Sequence, residues 1–288
     1  MTATRPISPI GTARERLVGA AVRGDGPVLD ERPSPARILD FLRGGAHTFA
    51  DDRTVGAAIL RAAPQLRTAL HAEWTFRRHL VLRAIAGGVS EILELGAGMA
   101  VPNAVAGVDH RHIPPGVRVV AVDADPVAVE QQRLVHADRP DVTVVHADPG
   151  HPETLLDLAG QTLTLREPVL ALCLGVLHHL PDTAASRLLA VLSSRLPAGS
   201  RLVISHLVTD DQPAATAASL TRLYAGTSQP LYLRTRRQFR TLLHTAGLTG
   251  ITPPRRRRTR GGGRGMLALA APHIPGRLAS GVAEGRPA

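Results

Sequence analysis

The chain has 288 residues, 44% of them hydrophobic and 20% charged, with 34 basic against 24 acidic side chains, the balance of a globular protein rather than a disordered one. Every basic residue is arginine, which excludes lysine Schiff-base chemistry and the phosphate-binding lysine of a P-loop. The single cysteine, Cys173, cannot build an internal disulfide or a multi-thiolate metal site, and its apolar neighbours mark it as a core residue, so no metal centre is expected.

The net charge of +10 is concentrated at one end, where residues 253–288 hold eight arginines against one acid, Glu284. The longest apolar stretch, 169–177, falls well short of the ~20 residues of a membrane span. Near the N-terminus the best apolar piece, 17–22, is shorter than a secretory segment of about 7 to 15 residues. A cytoplasmic protein without membrane association is expected.

Residues 1–32 are rich in Gly, Pro, Arg and Thr without sustained periodicity and read as a disordered leader. Order begins at Pro33. Ser34-Pro35 supplies an N-cap and a proline for the first helical turn, Ile38, Phe41 and Leu42 form one face, and Gly44-Gly45 stops the helix. A second helix follows Asp51, and a third, 65–86, places Leu66, Leu70, Trp74, Arg77, Val81 and Ile85 at helical spacing. These make an N-terminal helical cap over 33–88.

From Glu91 onward, short β-branched or Leu-rich runs alternate with helical segments, the pattern of parallel strands with crossover helices. The fold class expected for 89–272 is α/β, a Rossmann-like doubly wound, mostly parallel sheet with an antiparallel edge strand. Its strands are 91–95, 117–122, 142–146, 169–174 and 201–205, with the clearest helices at 126–137 and 183–196. After a polar stretch at 209–229, a helix at 236–246 leads into a strand at 248–252, and 266–270 returns antiparallel beside it. Residues 273–288 read as a disordered tail.

The first strand ends in Glu94-Leu95-Gly96-Ala97-Gly98, and glycines directly after a strand let a ligand approach the backbone at the carboxyl edge of the sheet. A dinucleotide site needs a third glycine three positions later, where Val101 stands. Glu94 would repel a pyrophosphate and attract an ammonium or sulfonium group. The second strand ends in Asp123, placed to accept both hydroxyls of a ribose, with Asp125 close behind; the third ends in His146-Ala147-Asp148, an acid where an adenine amino group would arrive. Acids at three successive strand tips favour a cationic nucleoside.

These motifs resemble those of the class I S-adenosylmethionine-dependent methyltransferases, whose first motif is an acid-x-Gly-x-Gly turn and whose second is an acid ending strand two. More specifically, the chain is similar to the S-adenosyl methyltransferase family of high-GC bacteria, formerly a domain of unknown function. The likeness is carried over 33–248 by Pro33-Ser34-Pro35-Ala36-Arg37-Ile38, Asp40, Gly44-Gly45, Phe49, Asp52-Arg53, Val122-Asp123 with Asp125-Pro126-Val127, Val176-Leu177-His178 and Ser205-His206. It departs at Ala46-His47-Thr48, where the family usually has a Lys-Asp-Asn-like triplet, and at 99–105.

The resemblance implies S-adenosyl-L-methionine as cofactor and methyl transfer to a small-molecule acceptor. It assigns Glu94, Gly96, Ala97, Gly98, Asp123, Ala124, Asp148 and Leu174 to the cofactor. Loss of a neutral leaving group needs little acid-base machinery, so the chemistry rests on orientation in a dry pocket. Only the nucleophile needs a base. His178, after the fourth strand, is the candidate, since a neutral imidazole takes a proton from a hydroxyl.

Arg37, Phe49, His179, His206 and Tyr224 are the expected substrate or lid positions. All seven aromatics lie outside 77–223, in the two segments able to fold over the strand tips. The Arg-rich loop 255–264 has no interleaved aromatic on which bases would stack, so nucleic acid is not the expected partner. A non-catalytic cofactor-binding protein and a nucleic-acid methyltransferase using that loop are the alternatives. Neither the acceptor nor an oligomeric state is specified by these residues.

Overall fold

In the computed structural model, the described residues are 12–13, 15–18, 30–210, 212–248 and 267–270. Helix α1 (Pro35–Arg43) starts where the Ser34 hydroxyl accepts the Ala36 N–H at 3.2 Å and stops at Gly44, whose φ of 92° only glycine adopts readily. Helix α2 (Ala50–Ala62) is capped from inside, the Asp52 carboxylate accepting the Phe49 N–H at 2.8 Å. At Gly56 the two helices meet so closely that a Cβ would stand 2.4 Å from the Phe41 ring. Helix α3 (Leu66–Ala86) buries Leu66, Leu70, Glu73, Arg77, Val81 and Ala84. This stripe runs through Glu73 and Ala84 rather than Trp74 and Ile85, a shift of phase from the sequence reading.

Strands β1 (Glu91–Leu95), β4 (Arg118–Asp123), β5 (Val142–His146), β6 (Val169–Cys173) and β7 (Arg201–Leu207) are parallel. The sheet order is β5-β4-β1-β6-β7-β8, and β8 (Leu267–Ala270) runs antiparallel along β7 from Ile204↔Ala270 to Leu207↔Leu267. Crossover helices are α4 (Pro126–Val135), α5 (Pro152–Ala159) and α6 (Asp182–Arg195). Chain direction along the sheet reverses on either side of β1, which opens a crevice at the carboxyl ends of β1, β4 and β6.

Both faces of the sheet are covered. Leu93, Leu95, Val120 and Val122 pack with Leu155, Leu188, Leu189 and Leu192 of α5 and α6. Ile92, Val119, Leu170 and Val203 pack with Val81 and Ala84 of α3 and with the β2 (Ala104–Val105) to β3 (Val108–Asp109) hairpin. A third core joins Ile38, Leu42, Ile59 and Leu70 of the cap to Leu207, Leu220 and Tyr224, so cap and sheet are bound by buried apolar surface.

Four sequence readings change. Helix α7 (Ala214–Ala225) occupies the stretch read as polar, because Leu220 and Tyr224 form a buried stripe among small residues. The expected leader contains helical residues at 12–13 and 15–18, with Leu17 buried against Met99, Val127 and Ala128 and Arg16 3.8 Å from Glu130. Order therefore does not start at Pro33. The β2–β3 hairpin was not foreseen. Leu248 lies outside any strand and 249–252 outside the described residues, while β8 pairs with β7. The loop 255–264 and tail 273–288 also lie outside them.

Candidate active site

A cleft opens over the carboxyl ends of β1, β4 and β6, roofed by α1, α3 and α7. Gly96, Gly98, Asp123, Ala124, Pro149, Leu174 and Gly175 form its sheet end; His178, His179, Tyr224, Gln229 and a set of leucines form the rest.

The glycine turn is shaped for backbone approach. Gly96 and Gly98 have φ of 66° and 68°, and a Cβ at Gly96 would stand 2.5 Å from Val176 Cγ2, whereas the space beside Gly98 is open. Asp123 ties the turn to β4, its Oδ2 accepting the Gly98 N–H at 2.7 Å and its Oδ1 the Asp125 N–H at 2.8 Å. Burial pushes the Asp123 carboxyl up to about 6, against the pull of these N–H groups.

Not every expected contact faces this cleft. Glu94 and Ala97 line a separate cavity of about 220 Å³ with Trp74, Arg77 and Met99. The Glu94 carboxylate lies 2.5 Å from Arg77 Nη1, and burial pushes it up while Arg77 and Arg43 oppose. Its charge is thus already matched by the chain itself, and it does not greet a cationic ligand. The reason is directional: Leu93 and Leu95 turn to the α5/α6 face, which leaves Glu94 on the side of α3, where Arg77 waits. Asp148 is exposed on β5's far side of the cleft, its Oδ1 accepting the Gly150 N–H at 2.7 Å, and only its neighbour Pro149 lines the cleft.

Arg37 and Phe49 also take structural places. Arg37 is 1% exposed and donates to Asp52 at 2.8 Å, Asp125 at 2.7 Å and the Arg32 carbonyl at 2.7 Å, so it clamps α1, α2 and the tip of β4 together. Phe49 lies against the Arg37 guanidinium, 4.9 Å from ring centre to Cζ, and packs with Met99 and Val127. Neither lines the cleft. Of the seven aromatics only Tyr224 does; Phe239 packs against His206, and Trp74 stacks between Arg43 and Arg77.

The histidines form one cluster, with ring centres of His178 4.7 Å from His179 and 5.6 Å from His206. Burial, reinforced by the neighbouring rings and Arg234, holds His178 well below its usual range. Its Nδ1 accepts the Leu207 N–H at 3.4 Å, which puts the ring proton on Nε2. His179 is held at about 4 by burial, against the Pro230 and Gln229 carbonyls. Its Nδ1 donates to the Pro230 carbonyl at 3.0 Å, which leaves the Nε2 lone pair as acceptor. His206 is fully buried behind them, its Nε2 accepting from Arg234 at 2.9 Å, and it does not line the cleft; burial and Arg234 lower it to about 3.

Sequence reading missed Glu73, which lines the cleft at 4% exposure, and Gln229. The signal for Glu73 was an acid three residues after Leu70 on the buried stripe of α3. Cys173 is a buried β6 core residue with its thiol pushed up to about 12 by burial.

A doubly wound sheet with a glycine turn after β1 and an acid ending β4 defines a nucleoside-binding α/β enzyme. The match to known proteins narrows this: residues 25–255 match the S-adenosyl methyltransferase family, and the chain belongs to that family. It is a methyltransferase whose cofactor is S-adenosyl-L-methionine. The fold is shared with a DUF574 family protein from Streptomyces avermitilis, at 25% identity and a TM-score of 0.72, covering 85% of this chain and 98% of that one. It is shared equally with a candidate methyltransferase from Thermobifida fusca, at 22% identity and a TM-score of 0.71, covering 85% and 96%. No curated protein sequence matches this chain. Among the described residues no helix is long and apolar enough to cross a membrane.

The cleft fits the cofactor. Glycine backbone lies open at 98, a carboxylate stands at 123, Glu73 keeps one buried oxygen without a donor, and among the described lining residues there is no arginine to oppose a sulfonium.

Proposed function

We propose that this enzyme methylates a small, uncharged, largely apolar acceptor carrying a hydroxyl group, in the cytoplasm. The observation that carries the reading is the cleft lining beyond the glycine turn: Leu39, Leu42, Leu66, Leu70, Leu180 and Leu207 surround His178, His179 and Tyr224, with no arginine among the lining residues. A phosphate or carboxylate entering there would lose its hydration and find no cation. That chemistry disfavours a nucleic-acid acceptor.

Bound at the glycine turn, the cofactor supplies a methyl group on a sulfonium, an electrophile that needs no protein acid. Gly96, Gly98, Asp123, Ala124 and Leu174 hold it, Asp123 accepting ribose hydroxyls. His178 offers an Nε2–H donor and His179 an Nε2 acceptor, so of the two rings His179 is the one prepared to take the acceptor's proton. A neutral, weakly basic imidazole suffices because the oxygen becomes strongly acidic as its new bond to carbon forms. The leucines exclude water.

The test is calorimetry with S-adenosylhomocysteine and NAD side by side, followed by a transfer screen over phenols, alcohols, amines and short oligonucleotides. S-adenosylhomocysteine binding with turnover on a phenol or alcohol is expected. Tighter binding of NAD, or turnover confined to oligonucleotides with a steep salt dependence, refutes the proposal.

A further inference from the structure

The roof of the cleft carries a carboxylate that the fold leaves half satisfied, with Arg43 near one oxygen and no donor on the other. Glu73 is 4% exposed, its Oε1 is buried without a hydrogen-bond donor, and its Oε2 has only Arg43 Nη2, at 3.9 Å, beyond hydrogen-bonding distance. A buried carboxylate oxygen left bare is costly, so its persistence asks for a donor that arrives with a ligand. The donor must be cationic or strongly polar, because it meets a carboxylate taken out of water.

Position selects which ligand group this is. Glu73 and Arg77 stand one turn apart on the same buried stripe of α3, and Arg77 reaches Glu94, two residues before Gly96. Glu73 therefore overlooks the glycine-turn end of the cleft, while Asp123, Ala124 and Pro149 mark the nucleoside end. The acid at the β1 tip is paired closely with Arg77, whereas Glu73 has only the more distant Arg43 and faces the cleft, which makes it the acid on that side open to a ligand.

We propose that Glu73, supplied by the cap helix α3, binds the α-ammonium group of the cofactor's amino-acid end. The proposal rests on the reading of the cleft as the cofactor site. It makes the cap a part of the cofactor site rather than only a cover, and it gives the enzyme a means of distinguishing ligands with an amino-acid tail from bare nucleosides.

The experiment is calorimetry on the full chain with three probes: S-adenosylhomocysteine, its deaminated analogue that keeps the carboxylate, and 5′-methylthioadenosine, which lacks the amino-acid end. Glu73→Gln, nearly the same size, is expected to weaken S-adenosylhomocysteine about 10- to 100-fold, the range of a charge-assisted hydrogen bond, and to leave the other two within twofold. The unaltered protein should bind the deaminated analogue more weakly than S-adenosylhomocysteine by a similar factor, a comparison that needs no variant to fold. Unchanged binding of S-adenosylhomocysteine by the variant, equal losses on all three probes, or equal affinity of the unaltered protein for the aminated and deaminated ligands overturns the proposal. Failure of the unaltered protein to bind any of the three overturns the cofactor-site reading itself.

Discussion

Removing Arg37 tests whether the residue shared with the family's N-terminal block is a ligand contact or a structural clamp. Its guanidinium is 1% exposed and bridges Asp52, itself 0% exposed, and Asp125, while also donating to the Arg32 carbonyl. Arg37→Met keeps most of the apolar stem and removes the cation shared by the two carboxylates. Breaking a buried pair from one side generally costs about 3 to 5 kcal/mol. Asp52 retains the Ser34 and Phe49 N–H groups at 2.9 and 2.8 Å, and Asp125 retains the Val127 N–H at 2.8 Å, so neither carboxylate is left bare and the loss should fall at the low end of that range, at about 3 kcal/mol. For a chain of this size that corresponds to a fall in Tm on the order of 10 °C. Urea unfolding and scanning calorimetry at pH 7 measure it. Adding Asp52→Asn to the variant should restore part of the loss by removing one of the two charges. A variant within 1 kcal/mol of the parent that nevertheless binds S-adenosylhomocysteine poorly would refute the clamp and return Arg37 to the ligand.

Two further outcomes follow from the site. Because burial pushes Asp123 up to about 6 and it must be ionised to accept two hydroxyls, S-adenosylhomocysteine affinity should fall as pH drops below 6, by up to about tenfold per unit, and Asp123→Asn should bind weakly with a flat profile; calorimetry between pH 5 and 7.5 showing a flat parent profile would contradict this. Phe49→Ala should lower Tm while leaving S-adenosylhomocysteine affinity within twofold, since the ring packs on Arg37, Met99 and Val127 away from the cleft; a variant that melts like the parent but binds poorly would make Phe49 a lid after all.

Acid should also unfold the chain for a separate reason. Burial holds His179 down to about 4 and His206 down to about 3 in the folded protein, below the ordinary value of about 6.5. The unfolded chain therefore takes up protons first as pH falls through that value, and stability drains away below it. Asp123 acts in the opposite sense, its raised pKa favouring the folded state between about 6 and the usual carboxylate range, so the binding experiment at pH 5 needs a melting curve beside it.

What the sequence showed well was local. Strands β1 and β5 match their expected limits because a β-branched or Leu-rich run ended at a glycine or an acid is decided within its own few residues, and α1 was legible from Ser34-Pro35 and Gly44 for the same reason. Helix α7 escaped because its Ala, Thr and Ser residues carry only a thin apolar stripe and no polar side chain caps its start. The roles of Arg37 and Phe49 depended on partners that only the fold brings near: Asp125 lies 88 positions from Arg37, and no spacing rule reaches that far.

The three strand-tip acids show where such reasoning stops. In sequence Glu94, Asp123 and Asp148 look alike; in the fold one is paired in a side cavity, one faces the cleft on two backbone N–H groups, and one is exposed. In a sheet with one solvent face, the alternation of apolar and polar residues would have revealed which way each acid points. Here β1 is buried on both faces, so Leu93 and Leu95 carry no more information about direction than Ile92 does. The deciding fact lies in α3, whose buried stripe presents Arg77 to Glu94 and, one turn earlier, Glu73 to the cleft. A shift of one residue in the phase of that stripe, from Trp74 to Glu73, is what puts an acid of the cap helix against the cleft.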